Sequence, residues 1–163
     1  MALQGLVDIP LAVVLARKEI SRSGWTLASW DGVAVLAGER FRAGQARREL
    51  LQSIDGVEHY LWDGLKLELF RDAAETYWFN LTGGQPSLFI ICSEEDGGEL
   101  SPVSVTADHD QSTSAVEADY KVFAVPIPAE VLAEIEEFVM THFKPEPQRK
   151  RRRRNWSDEG SND

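Results

Sequence analysis

The stretch LLQSIDGVEHYLWDGLKLELF, residues 50–70, decides the fold. Two runs of alternating apolar residues flank Asp55-Gly56, and both turn positions tolerate the positive φ that a two-residue hairpin demands. Beyond the hairpin, Leu65, Leu67 and Leu69 fall on one side of an extended chain and Lys66, Glu68 and Phe70 on the other. Neighbouring strands that pair through a tight turn are antiparallel. A nucleotide-binding unit needs a strand, a phosphate loop, a helix and a parallel strand instead.

Working outward, IPLAVVLARKEI and WTLASWDGVAVLAG read as two strands rich in Val, Leu and Trp, separated by a turn at Ser23-Gly24. After residue 70, RDAAE is expected to turn the chain and TYWFNLT to return it as a second hairpin. LFIIC is a short continuous apolar run, as in a strand buried on both faces, and EEDGGE is an acidic turn before LSPVSVTA. The polar stretch DHDQSTSAVEAD has room for one helical turn, and YKVFAVPI is a final strand. One helix is expected at about residues 129–143. Pro128 suits its start, and Val131, Leu132, Ile135, Phe138, Val139 and Phe143 recur at three- and four-residue steps. Pro145 and Pro147 stop it. The expected architecture is α+β: a mainly antiparallel β meander, sandwich-like or barrel-like, with one C-terminal helix. It forms a single domain over residues 1–144, followed by a disordered basic tail over 145–163.

The chain has 163 residues, of which 43% are hydrophobic, enough to bury a core without disulfides or metals. Its single cysteine, Cys92, lies in SLFIICS and reads as a small apolar core residue. The apolar run near the N-terminus is broken by Asp8 and Pro10, has no basic residue before it and is too short to span a bilayer. A cytoplasmic location without membrane contact is the expectation.

Net charge is −10 but unevenly spread. From Lys144 onward there are seven Lys/Arg and four Asp/Glu, which leaves ten basic and 23 acidic residues over 1–143, a net of −13. Arg149, Lys150, Arg151, Arg152, Arg153 and Arg154 form an unbroken basic block. Such a block binds polyanions by counterion release, docks on an acidic protein, or folds back onto the acidic body of its own chain.

Sites of chemistry are sparse. In VAVLAGERFRAGQARRELL, residues 33–51, a strand runs into Leu36-Ala37-Gly38 and a basic loop, the kind of place where backbone N–H groups cradle phosphate. Glu39 puts a negative charge where a phosphate needs bare N–H groups, so the loop reads as a surface turn with Arg40, Arg42, Arg47 and Arg48 exposed as anion or partner contacts. Asp108-His109-Asp110 has oxygen and nitrogen donors for a divalent cation, but no further ligand at a fixed spacing. His142 suits the last turn of the helix, and His59 a polar strand face. No nucleophile elbow is present, and Glu94-Glu95-Asp96 sits in a solvated turn. Trp25, Trp30, Trp62, Tyr77, Trp78 and Phe79 are expected to pack the sheets, because their acidic neighbours do not suit a nucleic-acid stacking platform. No cofactor and no metal is expected.

Three segments carry a resemblance: IPLAVVLARKEISRSGWTLASWDGVAVLAG, LKLELFRDAAETYWFNLTGGQPSLFI and VPIPAEVLAEIEEFVMTHFKPEPQRKRRRR. Together they resemble a family of small bacterial proteins commonly encoded beside molybdenum-dependent formate dehydrogenase genes. Some members are labelled molybdopterin-guanine dinucleotide biosynthesis protein A. The resemblance implies a bacterial cytoplasmic protein linked to assembly or maturation of a molybdenum enzyme. Its implied partner is formate dehydrogenase or a protein supplying the molybdenum cofactor. It brings no catalytic residues.

The expected function is that of a non-enzymatic accessory protein, docking through an acidic domain and a basic arm. One alternative is nucleotidyl transfer in molybdopterin-guanine dinucleotide biosynthesis. The other is a nucleic-acid-binding regulator, with nucleic acid held by the tail alone.

Overall fold

The computed structural model describes residues 5–45 and 47–143. The expected basic tail, with Arg149 to Arg154, lies outside the described residues. Among the described residues, seven strands and three α-helices follow in the order β1 (Val7–Arg22), β2 (Trp25–Ala37), β3 (Arg48–Ile54), β4 (Val57–Leu69), α1 (Ala74–Thr82), β5 (Ser87–Glu94), β6 (Leu100–Thr106), α2 (His109–Glu117), β7 (Lys121–Pro126) and α3 (Ala129–His142).

Every strand pair is antiparallel. The first sheet has the order β2-β1-β4-β3 and the second β6-β5-β7. The α+β, mainly antiparallel architecture with a C-terminal helix is therefore present. Of the two closures expected, the sheets adopt the open one and do not form a barrel. Both predicted two-residue turns have the geometry their sequences demand. Ser23 and Gly24 (φ 50° and 80°) link Arg22 to Trp25, and Asp55 and Gly56 (φ 52° and 80°) link Ile54 to Val57. Strand β4 runs without a break through LWDGLKLEL, because Gly64, at φ 74°, takes up an extra residue opposite Ala12.

Since β2 and β3 lie on opposite edges of the first sheet, the segment joining them must cross β1 and β4. Its 3-10 turn, Glu39–Phe41, packs on β1 and β4 and buries Phe41. Gly44 passes so close to Asp63 that any Cβ would collide with the carboxylate.

The core lies between the sheets. Ile9, Leu11, Val13 and Leu15 of β1 meet Leu88, Ile90 and Cys92 of the central strand β5, and Val131, Ile135, Phe138 and Val139 of α3 join the same cluster. At Gly32 the sheets approach closely: a Cβ there would lie 2.6 Å from Cβ of Phe123 on β7.

The TYWFNLT segment corrects the sequence reading. It is not the return strand of a hairpin but most of helix α1. Its aromatic residues favour strands, yet Ala74, Tyr77, Trp78 and Leu81 fall on one helical face that packs on the core. The polar DHDQSTSAVEAD segment goes further than a single turn. Asp108 caps α2, accepting hydrogen bonds from the N–H groups of Asp110 (2.8 Å) and Gln111 (3.4 Å), and nine helical residues follow.

Candidate functional site

Residues paired across antiparallel strands share a face, so the register sorts the first sheet into two sides. Arg17 points inward to the second sheet, where it binds Glu99. Its neighbour Lys18 therefore points outward, with Val57 and Ile54 beside it on β4 and β3. By the same parity the outward face carries Ile20 opposite Leu27, and Arg22 opposite Trp25. The crossing segment with Phe41 covers only the far half of this face. The hairpin half is left bare: Trp25 is 73% exposed, Leu27 62%, Ile54 57% and Ile20 39%. Among the described residues, Lys18 and Arg22 form no ion pair. The result is a contiguous apolar surface with an exposed Trp and two cations, on a body that is otherwise strongly acidic.

On the inner face a polar clamp ties the sheets together. Glu99, in the turn between β5 and β6, accepts from Arg17 Nε at 3.0 Å and from Arg48 at 3.1 Å, and its carboxylate lies 2.8 Å from Arg17 Nη2. Arg17 also reaches Glu58 at 3.4 Å and Glu19 at 3.3 Å. Burial pulls the Arg17 guanidinium down, but hydrogen bonds to Glu99 and Glu19 outweigh it and leave its pKa above the ordinary value. Tyr60 donates to Glu58 at 2.7 Å; that bond, with burial, raises its pKa. Below the clamp Trp30, Tyr60 and Trp62 pack with centroids 6.1–6.2 Å apart, and the indole N–H of Trp30 donates to the Gly98 carbonyl at 2.9 Å.

The basic loop does not gather its arginines. Arg40, Arg42, Arg47 and Arg48 are all exposed, as expected. Arg42, however, binds Glu39 and Asp8, Arg48 binds Glu99 and lies 4.3 Å from the Tyr60 ring centroid, and Arg40 lies 4.6 Å from that of Phe41. Four of the loop's N–H groups are engaged as well. Those of Gly38, Phe41, Arg42 and Gly44 donate to carbonyls within the chain. Asp108 is used as a helix cap, and His109 stacks edge-on against Phe89. No group of three or more His, Cys, Asp or Glu is placed to hold a metal among the described residues. His59 hydrogen-bonds Gln52 at 2.9 Å on the exposed sheet surface, and His142 packs its ring 4.4 Å from that of Phe138. Cys92 is fully buried, and burial pushes its thiol up to about 12, so it is an inert core residue.

Two clefts of about 760 and 600 Å³ meet at Thr76 of α1 and Asp110 of α2. Phe70, Phe79 and Phe89 contribute apolar lining, and Asp72, Glu75, Asp108 and Asp110 contribute carboxylates. None of these four carboxylates forms an ion pair among the described residues.

Residues 10–152 match the family described as "Protein of unknown function (DUF3305)". The chain belongs to this family. No curated protein and no solved structure matches the DUF3305 chain. No helix among its described residues is long and apolar enough to cross a membrane.

Sequence reasoning correctly packed Trp30, Trp62 and Tyr77 inside this DUF3305 domain but missed that Trp25 and Phe79 are exposed. A signal for Trp25 was present: it follows a two-residue turn, and Arg22, opposite it, has no place in a core. The Arg17–Glu99 clamp had no sequence signal, because its members come from three separated strands and a turn.

Proposed function

We propose that this chain is a non-enzymatic accessory protein that docks on a partner protein through the outward hairpin face of its first sheet. The observation that carries the reading is the bare face itself: Trp25, Leu27, Ile20 and Ile54 exposed together beside Lys18 and Arg22. Interface hot spots favour Trp and Arg in this kind of setting. The resemblance to small bacterial proteins encoded beside molybdenum-dependent formate dehydrogenases supplies the partner to test: formate dehydrogenase or a protein delivering its cofactor. The basic arm adds long-range attraction to an acidic surface of that partner. Nucleotidyl transfer is the weaker reading, because the Gly38 loop has committed four of its N–H groups and Arg42 to its own chain.

Purified formate dehydrogenase from the same bacterium, immobilised, is expected to bind the full chain. Trp25→Ala should weaken binding by roughly tenfold or more, as hot-spot truncation does, while leaving the melting temperature unchanged. Deleting residues 150–163 should lower the association rate in low salt only. Failure of both formate dehydrogenase and its cofactor-supplying proteins to bind would refute the partner. An unaffected Trp25→Ala would refute the face.

A further inference from the structure

We propose that the chain's own basic run, residues 149–154, docks in the groove formed by the two clefts that meet at Thr76 and Asp110. This stands independently of the partner's identity.

The first argument is position. The described chain ends at Phe143, whose ring lies 6.4 Å from Trp78 of α1. Phe79, the next residue, is 63% exposed and lines the groove, and Glu75 and Thr76 lie one helical turn back. Six residues, 144–149, reach at most about 20 Å when extended, whereas a helix is only about 10–12 Å across. The basic run therefore begins within reach of the groove.

Charge is the second argument. Asp72, Glu75, Asp108 and Asp110 face the two clefts with Arg71 and His109 as the basic side chains among the lining residues. Concave, low-dielectric walls concentrate such a field, which the exposed glutamates on the convex face of α3 do not achieve. Chemical fit is the third. Arginine and lysine stems bury against apolar walls while their heads stay wet, and guanidinium groups stack on aromatic rings. Phe70, Phe79 and Phe89 supply those walls and rings beside the carboxylates. Each exposed pair is weak, but a short tether gives an effective concentration on the order of mM, so weak pairs suffice. Docked, the arm is withheld from other anions; a partner gains it by competing for it.

The test uses the full chain with Ser157→Cys, spin-labelled. Cys92 is fully buried, so the label attaches at 157 alone. Amide signals of Thr76, Phe79, Asp110 and Gln111 are expected to fall about twofold or more in low salt and recover at roughly 0.5 M salt, where the Debye length is only a few ångströms. Asp72→Asn, Glu75→Gln and Asp110→Asn combined should abolish the loss while the rest of the amide spectrum shows the fold intact. Attenuation centred on α3 or on the outward sheet face, indifference to the triple variant, no attenuation, or attenuation that grows with protein concentration would each overturn the proposal.

Discussion

Replacing Glu99 by glutamine tests whether the clamp fixes the two sheets against each other. The carboxylate takes two N–H bonds at 3.0 and 3.1 Å from two arginines on different strands, with a further Arg17 nitrogen 2.8 Å away. The Arg17 side chain is only 14% exposed, whereas that of Arg48 is 44% exposed. Hydrogen bonds to charged groups are worth about 1.5–3 kcal/mol when well shielded, and exposed ion pairs are worth about 0–1 kcal/mol. Most of the effect must therefore come from Arg17, which keeps only its longer contacts to Glu58 and Glu19. A loss of about 1–2 kcal/mol follows, or a melting temperature lower by about 3–6 °C for a domain of this size. Urea and thermal unfolding, followed by circular dichroism, measure it. Glu19→Gln is the control: that side chain is 61% exposed, and its loss should be below about 0.5 kcal/mol. A double-mutant cycle with Arg17→Met should return a coupling of about 1 kcal/mol. If Glu99→Gln is no worse than Glu19→Gln, the clamp is screened by water and some other contact sets the sheet orientation.

Gly32→Ala places a Cβ against Phe123 and Val125, and should cost about 1–3 kcal/mol by wedging the sheets. Gly84→Ala, with open space around it, serves as the neutral comparison in the same melts. Asp108→Ala removes the cap of α2 and should cost about 1 kcal/mol in urea unfolding. Cys92 makes stability depend on pH on the alkaline side. Its folded thiol stands at about 12, against about 8.5 in an unfolded chain. Below pH 8.5 both states are protonated and the contribution is complete. Above it the unfolded chain alone loses a proton, so stability falls by up to about 1.4 kcal/mol per pH unit. Cys92→Ala should remove that slope between about pH 8.5 and 10; a slope that persists would refute the assignment.

The local turn chemistry was the most legible part of the sequence. Ser23-Gly24 and Asp55-Gly56 each adopt the two-residue geometry they imply, because positive φ is a property of a few residues and needs no distant contact. The period of α3 was equally plain. Helix α1 was not, since Tyr77-Trp78-Phe79 favours a strand locally and only packing on the core, supplied by Tyr77 and Trp78, settles the matter. The candidate site was least legible. Ile20, Trp25, Leu27 and Ile54 look like ordinary strand residues, and their exposure depends on which half of the sheet the crossing segment covers. That Arg42 turns to Glu39, three residues back, while Arg48 turns to the distant Glu99, likewise depends on where the third strand begins.

The pairing of β1 with β4 also has a consequence for the order of folding. The β1–β2 and β3–β4 hairpins each close through a two-residue turn and can form in about 1–10 μs. The seam between them brings Val7 against Leu69 and draws in the intervening chain, a far costlier loop to close. Until that seam zips, Leu11, Val13 and Leu15 are paired on the β2 side alone, and Ile9 has no strand partner. Substitutions along the β1–β4 seam should therefore slow refolding, whereas those in the second sheet should mainly hasten unfolding.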